Sequence, residues 1–124
     1  MFVDAAEIPS GTRLEADLCI IGAGAAGIAL ARELAASGRE ILLLESGGFE
    51  YEEAVHQRYA GRAEGTLVGE TSGYLTTSRL AYFGGTTNHW HGYCRPLDPE
   101  DFGARDWVPA SGWPLERSEL EPYY

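Results

Sequence analysis

Basic charge is scarce in this chain. Nine Lys and Arg stand against 19 Asp and Glu, giving a formal net charge of −10 over 124 residues. A nucleic-acid binder needs a basic footprint to neutralise phosphates, and none is available here. No basic patch suits an anionic membrane surface either. The balance is read as a soluble acidic surface. Long apolar runs are also missing, so no segment approaches a membrane span. The start, Met1-Phe2-Val3-Asp4-Ala5-Ala6-Glu7, is acidic and has no apolar core of the secretory kind. The default expectation is a cytoplasmic protein. Export with a partner subunit would leave no mark and stays open.

Cysteine is limited to Cys19 and Cys94, too few and too far apart for a disulfide framework or a thiolate metal pair. Cys19 lies in an apolar run and is expected to be a small buried hydrophobe. The three histidines, His56, His89 and His91, form no persuasive metal set, and His56 is expected at the surface.

Glycine is abundant, at 16 residues, without collagen's period. The glycines cluster in pairs, as if shaping backbone around something. Ile8-Pro9-Ser10-Gly11-Thr12 is turn-like. Ala16-Asp17-Leu18-Cys19-Ile20-Ile21 then predicts a strand buried on both faces of a parallel sheet. Gly22-Ala23-Gly24-Ala25-Ala26-Gly27 follows at once and fits G-x-G-x-x-G in its proper context. Gly22 permits the tight turn, Gly24 lets backbone approach a pyrophosphate, and Gly27 lets helix and strand pack closely. A helix is predicted from about Gly24 to Ala36, with Ile28, Ala31, Leu34 and Ala35 as its inner stripe. Gly38 is its expected C-terminal cap. The helix N-terminus would aim free N–H groups at phosphates.

The second strand is Ile41-Leu42-Leu43-Leu44, ended by Glu45 and Ser46. Glu45 stands 23 residues after Gly22, where an acid hydrogen-bonds a ribose diol and repels a 2′-phosphate. Dinucleotide binding is thus expected over residues 16–48, with NADP disfavoured. The fingerprint alone does not separate FAD from NAD.

Residues 49–77 are polar with scattered aromatics. Glu50, Glu52 and Glu53 read as a solvated face, and the four-residue spacing of Gly61, Gly65, Gly69 and Gly73 reads as turns and irregular loop. A second glycine cluster lies within residues 78–95: Gly84, Gly85, Thr86, Thr87, Asn88, His89 and Trp90. Two side chains are removed in succession, and short polar groups follow. Such a segment suits backbone N–H groups facing a flat polar ring. A glycine turn before a buried histidine–tryptophan pair fits equally well.

Three passages together resemble the glucose–methanol–choline family of flavin-dependent oxidoreductases. They are the Asp17–Gly27 fingerprint with Glu45, the Gly84–Trp90 segment, and Ser111-Gly112-Trp113-Pro114-Leu115 followed by Leu120-Glu121-Pro122-Tyr123-Tyr124. The likeness is nearest to the branch of bacterial sugar and polyol dehydrogenases and pyranose oxidases. It implies an α/β, Rossmann-like FAD-binding βαβ unit, here incomplete. It implies that Gly22, Gly24, Ala25, Ala26, Gly27, Glu45 and Ser46 hold the dinucleotide half of FAD. It implies that Gly84, Gly85, Thr86, Thr87, Asn88 and His89 lie beside the isoalloxazine, and some relatives bond FAD to the histidine matching His89. The implied reaction oxidises a CH–OH group of an alcohol, sugar or polyol, with or without a separate electron acceptor. The substrate domain and the catalytic base, a histidine in the family, are expected beyond Tyr124, so neither His89 nor His91 is read as that base. Another FAD- or NAD-binding oxidoreductase class, or a non-catalytic nucleotide-binding fragment, remains the alternative.

Overall fold

The computed structural model describes residues 1–62, 64 and 73–124. They form two compact units, Met1–Trp90 and His91–Tyr124.

The first unit is built on a βαβ motif. Strand β1, Leu18–Ile21, pairs in parallel with β2, Ile41–Leu44, in the register Leu18↔Ile41 through Ile21↔Leu44. Asp17 sets that register from below. Its carboxylate accepts the Glu40 N–H at 2.8 Å, and its own N–H donates to the Glu40 carbonyl at 3.0 Å. Helix α1, Ala25–Leu34, joins the strands and tightens into a 3-10 turn over Ala35–Ser37. Gly38 ends it in the left-handed region at φ 74°, as a C-terminal glycine should. A parallel pair needs a crossover of this kind, because no tight turn can reverse the chain twice. The α/β, Rossmann-like class expected from the sequence is therefore present, as a partial unit of two strands.

Burial is one-sided, which corrects the expectation for β1. Ile20 turns toward α1 and is buried, whereas Cys19 and Ile21 are exposed, Ile21 to 86%. Successive side chains on a strand point to opposite faces. Among the described residues nothing covers the face opposite α1, so Cys19 is not the buried hydrophobe its apolar neighbours suggest. On α1, Ile28, Ala31 and Leu34 are partly covered as predicted, while Ala35 is exposed, because the helix tightens there and rotates it off the stripe.

Beyond β2 the chain forms short helices where loop was expected: α2, Glu53–His56, with a 3-10 turn over Gln57–Tyr59, and α3, Tyr74–Thr77. Gly65 and Gly69 of the four-spaced glycines lie outside the described residues. Glu50, Glu52 and Glu53 are exposed, as expected. His56 is not. It is 3% exposed, between the rings of Tyr51 (5.2 Å) and Tyr59 (5.9 Å), with its Nε2 hydrogen-bonded to the Thr76 carbonyl. The aromatic faces cover the ring and the carbonyl pairs Nε2, while Nδ1 is buried without a partner among the described residues. Arg79 lies over the Tyr59 ring at 4.9 Å, a cation–π contact at the margin of this cluster.

The second unit contains α4, Pro99–Phe102, and α5, Arg117–Leu120, each opened by a capping box. Between them the Ser111 hydroxyl accepts the Arg105 N–H at 2.7 Å and faces the Arg105 carbonyl at 3.1 Å. The Trp113 N–H donates to the Phe102 carbonyl at 3.2 Å. The Ser111–Leu115 phrase is thus the return arm of a closed loop. Among the described residues no helix is long and apolar enough to cross a membrane.

Candidate functional site

The ladder between β1 and β2 runs one step past the strands. The Gly22 N–H donates to the Leu44 carbonyl at 2.7 Å, and Gly22 then turns at φ 101°. That angle lies where only glycine is unstrained. Ala23 is buried beneath the turn. Gly24 is the N-cap of α1, and no side chain caps the helix. The first-turn N–H groups, those of Ala25, Ala26 and Gly27, therefore end the helix without a side-chain acceptor.

The glycines of the loop have different reasons to lack a Cβ. A Cβ on Gly27 would collide with the Gly22 carbonyl oxygen and stand 3.4 Å from the Ile20 side chain. Gly27 is thus a packing glycine that lets α1 close on β1. A Cβ on Gly24 would meet nothing within 4 Å. The space before Gly24 is open, at the positive end of a helix dipole.

Glu45 leaves β2 and reaches back to the loop. Its Oε2 accepts the Ala23 N–H at 2.7 Å, and its Oε1 accepts the Ser46 N–H at 2.7 Å, the Ser46 hydroxyl at 2.9 Å and the Gly47 N–H at 3.4 Å. Partial burial pushes the carboxyl pKa up. The donors from Ala23, Ser46 and Gly47 together outweigh it and hold the group below the usual carboxylate range. A charged Glu45 therefore stands beside the open space at Gly24, and Oε2 keeps lone-pair capacity for a further donor.

The second glycine cluster seats on the first. The Gly84 N–H donates to the Ala23 carbonyl at 2.8 Å, and a Cβ on Gly85 would lie 3.2 Å from the Gly24 Cα. Both glycines are buried and both have positive φ, 93° and 55°. The β2 exit completes the arrangement. The Phe83 N–H donates to the Gly48 carbonyl at 2.9 Å, and a Cβ on Gly47 would collide with the Ala81 carbonyl oxygen. Three glycine turns, 22–24, 47–48 and 84–85, thus meet backbone to backbone. An aromatic run, Phe2, Phe49 and Phe83, with ring centroids 4.6 and 5.3 Å apart, covers one side of the junction.

Gly85–His89 form a 3-10 turn. Its short polar side chains bond to backbone close by. Thr86 Oγ1 accepts the Leu80 N–H at 3.4 Å, Thr87 Oγ1 donates to the Gly84 carbonyl, and the Asn88 amide donates to the Phe83 carbonyl at 2.8 Å. His89 and Trp90 are exposed, so the buried histidine–tryptophan alternative does not describe this segment. The sequence reads Gly47-Gly48 as a turn away from β2, not as a seat for Ala81, which the sequence does not mark. The glycine pair directly after Glu45 was the available signal for Gly47. Ala81 has none. Among the described residues no three His, Cys, Asp or Glu side chains gather at one point.

Fold and turns together define a Rossmann-like nucleotide-binding unit of the kind oxidoreductases carry. Residues 20–49 match the family model described as an NAD(P)-binding Rossmann-like domain. Over 120 residues the chain is 32% identical to 6'''-hydroxyparomomycin C oxidase of Streptomyces lividus, a match covering 87% of this chain and 21% of that protein. The chain spans about a fifth of the length of this curated relative. No solved structure matches it.

Proposed function

We propose that this chain is the FAD-binding portion of a flavin-dependent oxidoreductase of the glucose–methanol–choline family, acting on a CH–OH group of an alcohol, sugar or polyol. The observation that carries the reading is the seat of Gly84–Gly85 on Ala23–Gly24. A second glycine turn laid on the first removes side chains over a wider stretch of backbone, which suits the three-ring isoalloxazine better than the single nicotinamide ring. The relative's printed name, an oxidase of a hydroxy compound, agrees with the substrate class.

The residues fit the cofactor. Open space at Gly24 and an uncapped helix admit the pyrophosphate, with the N–H groups of Ala25, Ala26 and Gly27 behind it. Glu45 Oε2 has capacity for a ribose hydroxyl, and Ser46 and Gly47 hold the carboxylate in place. Residues 84–89 line the ring side. When bound, FAD supplies the hydride acceptor for oxidation of the alcohol carbon. Orientation of the substrate and removal of its hydroxyl proton belong to other parts of the complete protein, as do any partner subunit and separate electron acceptor.

The description of the matched family model favours a second reading, a nicotinamide cofactor. Within that reading Glu45 selects NAD over NADP, because its charge repels a 2′-phosphate. The visible spectrum of the purified complete protein separates the two readings. Flavin bands support the first, and their absence from a protein that binds NAD supports the second. Acid denaturation then reads the state of His89. Colour that stays with the protein and is lost in His89→Ala shows a covalent link, and colour released to the supernatant shows a non-covalent one.

A further inference from the structure

Gly84 is glycine for two reasons. Its φ of 93° disfavours a side chain, and the space a Cβ would take is occupied by the Asn88 amide, 2.7 Å away at Nδ2 and 2.8 Å at Oδ1. That amide donates to the Phe83 carbonyl at 2.8 Å, and Thr87 Oγ1 donates to the Gly84 carbonyl. The carbonyls of Phe83 and Gly84, on either side of the Gly84 N–H, are therefore both held by side chains of the following turn. The Gly84 N–H itself is the link to Ala23, at 2.8 Å. Asparagine suits this geometry because its side chain is short, carries a donor, and reaches backbone five residues away without disturbing the turn.

We propose that Asn88 is a positioning residue whose side chain clasps the Phe83–Gly84 turn and so holds the second glycine segment on the nucleotide loop. Its backbone still belongs to the ring-side segment. Its side chain acts on the protein's own turn, so the effect on the cofactor is indirect. The consequence for binding rests on the flavin reading above. The clasp itself is a property of the chain without cofactor.

The test uses the complete protein stripped of dinucleotide and follows amide hydrogen exchange at Gly84, with the Gly22 N–H, bonded to Leu44 at 2.7 Å, as internal reference. Asn88 is exposed, so its truncation does not threaten the core. In Asn88→Ala, exchange at Gly84 should rise about tenfold, the scale of one lost hydrogen bond, while Gly22 is unchanged. Asn88→Asp keeps the shape but has no hydrogen to donate to Phe83, so it should behave like the alanine variant. Three results overturn the proposal. One is equal acceleration at Gly84 and Gly22, which marks a global stability effect. Another is unchanged Gly84 exchange with weakened cofactor binding, which makes Asn88 a direct contact. The third is full protection in Asn88→Asp, which removes the donor role. The wild-type spectrum reports separately on the flavin reading, and a protein without flavin leaves the exchange comparison intact.

Discussion

Gly24 and Glu45 do different work at the two ends of the nucleotide loop. Gly24 has φ −79°, an angle any residue tolerates, and open space where a side chain would stand. Gly24→Val should leave thermal stability near that of wild type while weakening dinucleotide binding at least about tenfold, or about 1.4 kcal/mol. Calorimetry and a binding titration on the complete protein read the two effects apart. Glu45 is held ionised below its ordinary range by Ala23, Ser46 and Gly47. A carboxyl whose folded pKa is lowered adds stability that is present above its unfolded pKa, and that stability is lost as pH falls through the folded one. Unfolding titrations should therefore show wild type losing stability below about pH 4.3, and Glu45→Gln losing less over that window. Glu53, also lowered by its bond from Tyr51, titrates in the same direction, so the difference between the two proteins isolates Glu45. The fingerprint glycines and the terminal acid were legible in the sequence because each answers a local backbone demand at fixed spacing. The burial of His56 and the exposure of Cys19 were not. One depends on rings three and five residues away closing around it, and the other on a sheet face that local sequence does not describe.

Elements β1, α1 and β2 followed from period and punctuation: four apolar residues per strand, an apolar stripe, and Gly38 at the stop. The four-residue helices between 53 and 77 did not, since one turn carries too little periodicity to read. The seating of the second glycine cluster was also hidden, because backbone–backbone packing leaves no apolar pattern. It makes a prediction that separates the glycines by role. Gly27→Ala and Gly47→Ala each drive a Cβ into a carbonyl oxygen, of Gly22 and Ala81 respectively. Each should destabilise the complete protein by about 1–3 kcal/mol, the usual range for overpacking. Denaturant melts that place either variant within error of wild type would show that the elements are not seated as described.

At the scale of the whole molecule, an acidic chain carries a nucleotide-binding fold. With a net charge of −10, long-range electrostatics oppose a pyrophosphate, so attraction must come from backbone N–H groups and the helix terminus at short range. Such contacts are little screened, while the repulsion is screened once the Debye length falls to about 3 Å near 1 M salt. Raising ionic strength should therefore relieve this chain's share of the repulsion rather than weaken dinucleotide binding. A steep fall would mean that basic side chains outside this site carry the binding. The one-sided sheet belongs to the same scale: Ile21 and Cys19 face outward from β1, leaving that face of the two-strand sheet uncovered among the described residues.

The central claim, that these three glycine turns hold FAD, is tested most directly by the visible absorption spectrum of the purified complete protein beside its Gly24→Val variant. Flavin bands are expected in the wild type, reduced at least about tenfold per protein in the variant. Equal flavin content in the two proteins, or a wild type that binds only a nicotinamide dinucleotide, would contradict it.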